Sequence, residues 1–189
     1  RRRWLQWLGA SAALPALAAP SAAGDAAPSW AGFARRFLQG DGRIVSDDGN
    51  RSSTYSEGQA YALFFALVAN DRTRFKLLLR WTRDNLAEGD LGRQLPAWLW
   101  GRQDDGRWGV LDRNAASDAD LWIAYTLLQA GRLWRHRPYT SQGQALAQLI
   151  LRQETAELPG LGLSLLPGPT GFVQQPGRRW RLNPSYLPL

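Results

Sequence analysis

The sequence contains no cysteine, no methionine and a single histidine. Without Cys there is neither a disulfide framework nor a thiolate metal site. His136 lies between Arg135 and Arg137, just past a predicted helix end, where a cationic group suits the helix dipole. A His-based metal centre and a Ser-His-Asp triad within these residues are excluded. The absence of Met, at position 1 as elsewhere, predicts a chain that has lost its start. Basic runs are scarce too. The net charge of +7 owes much to Arg1, Arg2 and Arg3, and the remaining excess is spread along the chain. With no nucleic-acid motif, binding of DNA or RNA is not expected.

What the chain has is tryptophan, ten in 189 residues. Trp supplies core volume and flat platforms for ligands. The length suits one domain, or part of one, with a real core.

Residues 1–23 read as a secretory signal. Arg1, Arg2 and Arg3 form the basic start and residues 4–17 a short apolar stretch. Small residues follow, with Ala-x-Ala-like choices near 16–18 and 21–23. The Arg-Arg-Arg-Trp-Leu start is similar to a twin-arginine signal. The apolar stretch is too short to span a bilayer. The expected location is therefore periplasmic or secreted, with no membrane span in the mature chain, 24–189.

Residues 29–39 suit a short helix and 40–53 a polar loop. Residues 57–70, starting Glu-Gly-Gln-Ala-Tyr-Ala, are apolar on every side, the mark of a buried helix. Residues 72–86 are amphipathic, with Phe75, Leu78, Leu79 and Leu86 inward. The stretch 88–117 is long and irregular, and its Asp105-Gly106 turn predicts a hairpin. Residues 118–134 form a second helix apolar nearly all round, and 141–157 a second amphipathic one. The stretch 158–182 holds three short extended runs. Residues 183–186 open another helix.

Buried and amphipathic helices thus alternate. Short links follow the buried ones and long loops the amphipathic ones. If the buried helices are parallel, all long loops, Glu57 and Asp118 lie at one end. That is a barrel of helical hairpins with a site at its mouth.

Both acids have a plain alternative explanation. Thr54-Tyr55-Ser56-Glu57 fits a capping box, and Ser117-Asp118-Ala119-Asp120 can cap likewise. Against this, both open central helices beside Trp-rich loops. Paired carboxylates with aromatic platforms suit glycoside hydrolysis, which needs an acid, a base and flat faces for sugar rings. A helix N-terminus lowers a carboxyl pKa, so an acid role for Glu57 requires burial and a nearby ionised Asp118 to raise it.

The motifs Tyr55-Ser56-Glu57-Gly58-Gln59-Ala60-Tyr61 and Ala116-Ser117-Asp118-Ala119-Asp120-Leu121-Trp122 resemble glycoside hydrolase family 8. Leu95-Pro96-Ala97-Trp98-Leu99-Trp100-Gly101 and Asn183-Pro184-Ser185-Tyr186 add to the resemblance. It implies an all-α fold, an (α/α)6 barrel of which this chain supplies about the N-terminal half, with small β-hairpins in the long loops. It also implies inverting, endo-acting hydrolysis of β-1,4-glucan without cofactor or metal. Glu57 matches the family's proton donor, Asp118 the signature aspartate, and Tyr186 a tyrosine near the attacking water. Trp98, Trp100 and Trp108 are the sugar platforms we expect, and Asp120 is expected to hold the loop or helix end. The family's base, an Asp, falls beyond Leu189. The part seen here is therefore expected to be inactive alone and to leave core unpaired. The likeness is nearest to periplasmic members that accompany bacterial cellulose synthase, which makes that machinery an expected partner.

Three other readings stay open: a xylanase or chitosanase of the same family, a glycan-binding protein without activity, and a helical repeat whose acids only cap.

Overall fold

The computed structural model describes residues 29–46, 52–174 and 179–187; the predicted signal lies outside them. In chain order the elements are α1 (Trp30–Phe37), β1 (Thr54–Tyr55), α2 (Ser56–Val68), α3 (Arg72–Leu86), β2 (Leu99–Arg102), β3 (Trp108–Asp112), α4 (Ser117–Leu133), α5 (Arg137–Gln153), β4 (Thr155–Leu158), β5 (Gly162–Leu165), β6 (Val173–Gln174), β7 (Arg179–Trp180) and a 3₁₀ turn, Pro184–Tyr186.

Two helical hairpins carry the core, α2 with α3 and α4 with α5, and α2 packs directly on α4. The links are short because single residues take left-handed backbone. Asn70 has φ 52° before α3 and Arg135 φ 54° before α5. Asp71 caps α3 by accepting from the Arg74 amide (3.0 Å), and its other oxygen accepts from the Trp30 indole (3.0 Å), which ties α1 to this corner. Helices α4 and α5 approach closely. A Cβ on Gly131 would sit 2.2 Å from Thr140 Oγ1, and one on Gly143 would sit 3.0 Å from the Ala124 carbonyl.

The core includes Leu63, Phe75, Leu78, Ile123, Leu127 and Leu146. A polar clamp runs through it. The buried Gln59 accepts from the Ile44 amide (2.6 Å) and donates to the Gly42 carbonyl (3.2 Å) and Thr82 Oγ1 (2.9 Å). Thr54 Oγ1 donates to the Ile44 carbonyl (2.7 Å). The loop before β1 is thereby fastened to α2 and α3.

Sheets are small. Antiparallel β1-β2-β3 forms over the long loop, with the expected turn at Gly106 (φ 84°). Strands β4-β5 and β6-β7 are separate hairpins.

The structure changes several boundaries. α5 starts at Arg137, not 141, because Pro138 fits the first turn, where no amide bond is lost. It ends at Gln153, and residues 155–158 pair as a strand instead. Helices α2 and α4 are not enclosed on every side. Tyr61, Phe65 and Val68 are 39%, 41% and 70% exposed, and Tyr125 and Leu133 are 46% and 55% exposed. Phe33 of α1 meets Phe65 edge-on at 5.6 Å, and the rest of that face stays partly open. No described helix is long and apolar enough to cross a membrane.

Candidate active site

Residue 98 organises the site. The Ser56 amide donates to the Trp98 carbonyl (2.9 Å), and the Trp98 amide donates to the Asn114 carbonyl (2.7 Å). The start of α2 and the approach to α4 are thus held at one end of the fold. The Trp98 indole Nε1 then donates to Glu57 Oε1 (3.0 Å), and Ser56 Oγ donates to Oε2 (3.3 Å).

Neither predicted capping box forms. Thr54 lies in β1 with its hydroxyl spent on Ile44, and α2 takes Tyr55 as its N-cap. Glu57 therefore turns to Trp98 rather than back to the Thr54 amide. On α4 the N-cap is Ala116, and Asp118 Oδ1 accepts from the Ala119 amide (2.9 Å).

Glu57 lines a cleft of about 590 Å³ with Tyr55, Tyr61, Trp98, Phe33 and Phe37. Burial pushes its carboxyl above the usual range. Hydrogen bonds from its own amide, Trp98 and Ser56 oppose this, and the charge of Asp118 reinforces it. Burial raises Asp118 as well, against the pull of backbone amides. Asp118 does not line the cleft, but its charge and that of Glu57 both act on Tyr186 and Tyr61, whose hydroxyls are raised first by burial. Glu57, Asp118, Trp98 and Tyr186 are thus one group, and Tyr61 belongs to it. The sequence offered a signal for Tyr61: four residues after Glu57, it shares that face of α2.

Trp100 and Trp108 stand elsewhere. Their rings stack at 5.3 Å and 18°, Trp81 meets Trp100 edge-on, and the Arg43 guanidinium lies 5.0 and 4.9 Å from the two ring centres. With Gln39, Gly40 and Asp41 they line a separate recess of about 510 Å³. The Asp120 carboxylate makes no hydrogen bond to the described loop or to the helix end. It is fully buried, and neither carboxylate oxygen has a hydrogen-bond partner among the described residues. No described group of three or more acids and histidines could hold a metal ion.

A half-enclosed carboxyl raised by burial, beside a second carboxylate and an indole face, suits acid catalysis on an uncharged, flat-faced substrate. Comparison with known proteins points the same way. An endoglucanase of Xanthomonas axonopodis pv. citri (strain 306) is 55% identical over 183 residues, 96% of this chain and 47% of the relative. An endoglucanase of Escherichia coli O157:H7 is 50% identical, over 85% of this chain and 43% of its own. Among solved structures, an endo-1,4-D-glucanase from Vibrio fischeri ES114 matches with a TM-score of 0.80 and 55% identity, over 83% of this chain and 45% of that one. A family 8 endo-β-1,4-glucanase from an Achatina fulica gut metagenomic library gives 0.73 and 35%, over 83% and 47%. The chain spans about half the length of these relatives, and its two helical hairpins are part of the (α/α)6 barrel of their family. The family model for glycosyl hydrolases family 8 matches residues 4–189, and the chain belongs to that family.

Proposed function

We propose that the full-length protein is an endo-acting β-1,4-glucanase that cuts cellulose-like chains with inversion. The observation that carries this is the Glu57 carboxyl. It is raised by burial, faces a cleft, and is held in one orientation by the Trp98 indole and Ser56 hydroxyl. In the reaction Glu57 gives its proton to the glycosidic oxygen, and the electrons of the breaking C1–O bond pass to that oxygen. Water attacks C1 from the opposite face and loses its proton to the base, which the family pattern places beyond Leu189. Asp118 holds and polarises the sugar at the cleavage point, and Tyr186 orients the water. Trp98 stacks the ring beside the acid, and Trp100 with Trp108 offer a platform farther out.

The endoglucanase relatives support glucan over xylan or chitosan. Export to the periplasm or outside the cell follows from residues 1–23, and trimming of an exopolysaccharide beside the cellulose synthase machinery follows from the resemblance. The test is reducing-end release from carboxymethylcellulose by the full-length protein and its Glu57→Gln variant. Activity in the first and nearly none in the second is expected. Activity in neither, with glucan still bound, supports a binding protein instead.

A further inference from the structure

A second pair of acids lies behind the site. Asp120 is two residues beyond Asp118 on α4, and Glu154 is the C-cap of α5. Gly131 packs on Thr140 and Gly143 on Ala124, so the two helices run antiparallel, and the start of α4 lies beside the end of α5. Both side chains are fully enclosed, and none of their four carboxylate oxygens receives a hydrogen bond from a described residue. Glu154 is the strongest charge acting on Asp120, ahead of Asp118 and Glu57, and Asp118 is the charge acting on Glu154. The charged groups facing the pair are therefore acids. Arg152, in the last turn of α5, is exposed, and no described Lys or Arg is paired with either carboxylate.

Two enclosed carboxylates without a cation cannot both be charged. A proton between them gives one acid an O–H to donate and the other a bond to accept. The surroundings limit what happens when it leaves. Away from the pair, the close contacts at Gly131 and Gly143 leave little room to adjust. At the end, one strap ties both sides: the Leu166 amide donates to the Glu154 carbonyl (2.7 Å), and the Ser117 amide donates to the Pro167 carbonyl (3.1 Å). Repulsion between two bare carboxylates acts on the first turn of α4, which carries Asp118.

We propose that Asp120 and Glu154 are positioning residues that share a proton between α4 and α5, and that this proton holds the first turn of α4, with Asp118, in place. Its kinetic consequence rests on the glucanase reading above. Burial pushes Glu154 up to about 8 and Asp120 well above its ordinary range. The pair thus stays protonated at neutral pH and opens in mild alkali.

The experiment is a pH profile of kcat on cellohexaose, from pH 5 to 10, for the full-length protein and its Glu154→Gln variant. An amide in place of the Glu154 carboxyl donates to Asp120 without a titrating proton. In the wild type, log kcat falls with a slope of one as Glu57 loses its proton, then steepens toward two above pH about 8. The Glu154→Gln variant keeps a slope of one and matches wild-type kcat at pH 6 within about threefold. If Glu154→Gln prevents folding, Asp120→Asn removes the same step. A melting curve supplies the second readout. The folded pair holds its proton in the window between the ordinary carboxyl pKa and about 8, so the wild-type Tm falls across that window and the variant's falls less. A wild-type slope of one throughout, or a variant that steepens equally, overturns the inference. A protein inactive at every pH overturns the glucanase reading instead. In that event Tm decides whether a proton is shared, and parallel Tm curves reject it.

Discussion

The Trp98 indole donates to Glu57 Oε1 across 41 residues of sequence, at 3.0 Å. This bond favours the ionised carboxylate and works against the burial that raises it. Replacing Trp98 with Phe keeps a flat ring and removes the donor. The Glu57 pKa then rises further, and the alkaline limb of the kcat profile moves up by about one pH unit. That shift follows because a hydrogen bond to a charged group is worth about 1.5–3 kcal/mol and one pKa unit about 1.4. An unmoved limb would show that the bond forms only without substrate.

On the proposed glucanase reading, Glu57→Gln should lower kcat of the full-length protein by about 10²–10⁴-fold with little change in the fold. Stability moves the other way. An acid whose pKa is raised by folding stabilises below its unfolded pKa and loses that contribution as pH rises through the folded one. The Glu57→Gln variant should therefore melt higher than wild type at pH 8 and close to it at pH 4. A lower Tm at pH 8 would mean that the carboxylate is stabilising, contrary to its burial.

Gln59 is fully buried and makes three bonds to two segments, the loop before β1 and α3. Gln59→Leu keeps the volume and strands the Ile44 amide and the Gly42 carbonyl, whereas the Thr82 hydroxyl still donates to the Leu78 carbonyl (2.8 Å). We expect a loss of about 2–4 kcal/mol in urea unfolding. A loss below about 1 kcal/mol would show that the loop before β1 contributes little to the folded state.

Tyr61, Phe65, Val68 and Tyr125 leave apolar surface open on the inner helices. Residues 24–189 made alone should release no reducing ends from cellulose, bind an apolar dye and self-associate. A monomer with a cooperative melt and measurable cellulase activity would refute this.

Much of the architecture is legible in the sequence because α2 and α4 are apolar nearly all round while α3 and α5 are striped, a contrast that separates inner from outer helices. The Asp105-Gly106 turn announces β2-β3. The capping boxes mislead because the local pattern makes Thr54 a cap, whereas its hydroxyl is drawn to Ile44, ten residues away. Trp100 and Trp108 lie close to Trp98 in sequence, but the hairpin turns them toward Arg43 and Trp81. The Asp120–Glu154 pair has no sequence signal. Glu154 lies 34 positions after Asp120, and falls where the helical pattern of the sequence runs on to 157.

The backbone of residue 98 is bonded on one side to the start of α2 and on the other to the approach to α4. Both bonds are made by one residue, so a displacement of its backbone disturbs both ends together. The two hairpins therefore share one weak point rather than having one each. The amides of Ser56 and Trp98 should exchange with solvent at a common rate, as a single cooperative unit. A substitution that loosens one helix start will then be felt at the carboxylate on the other.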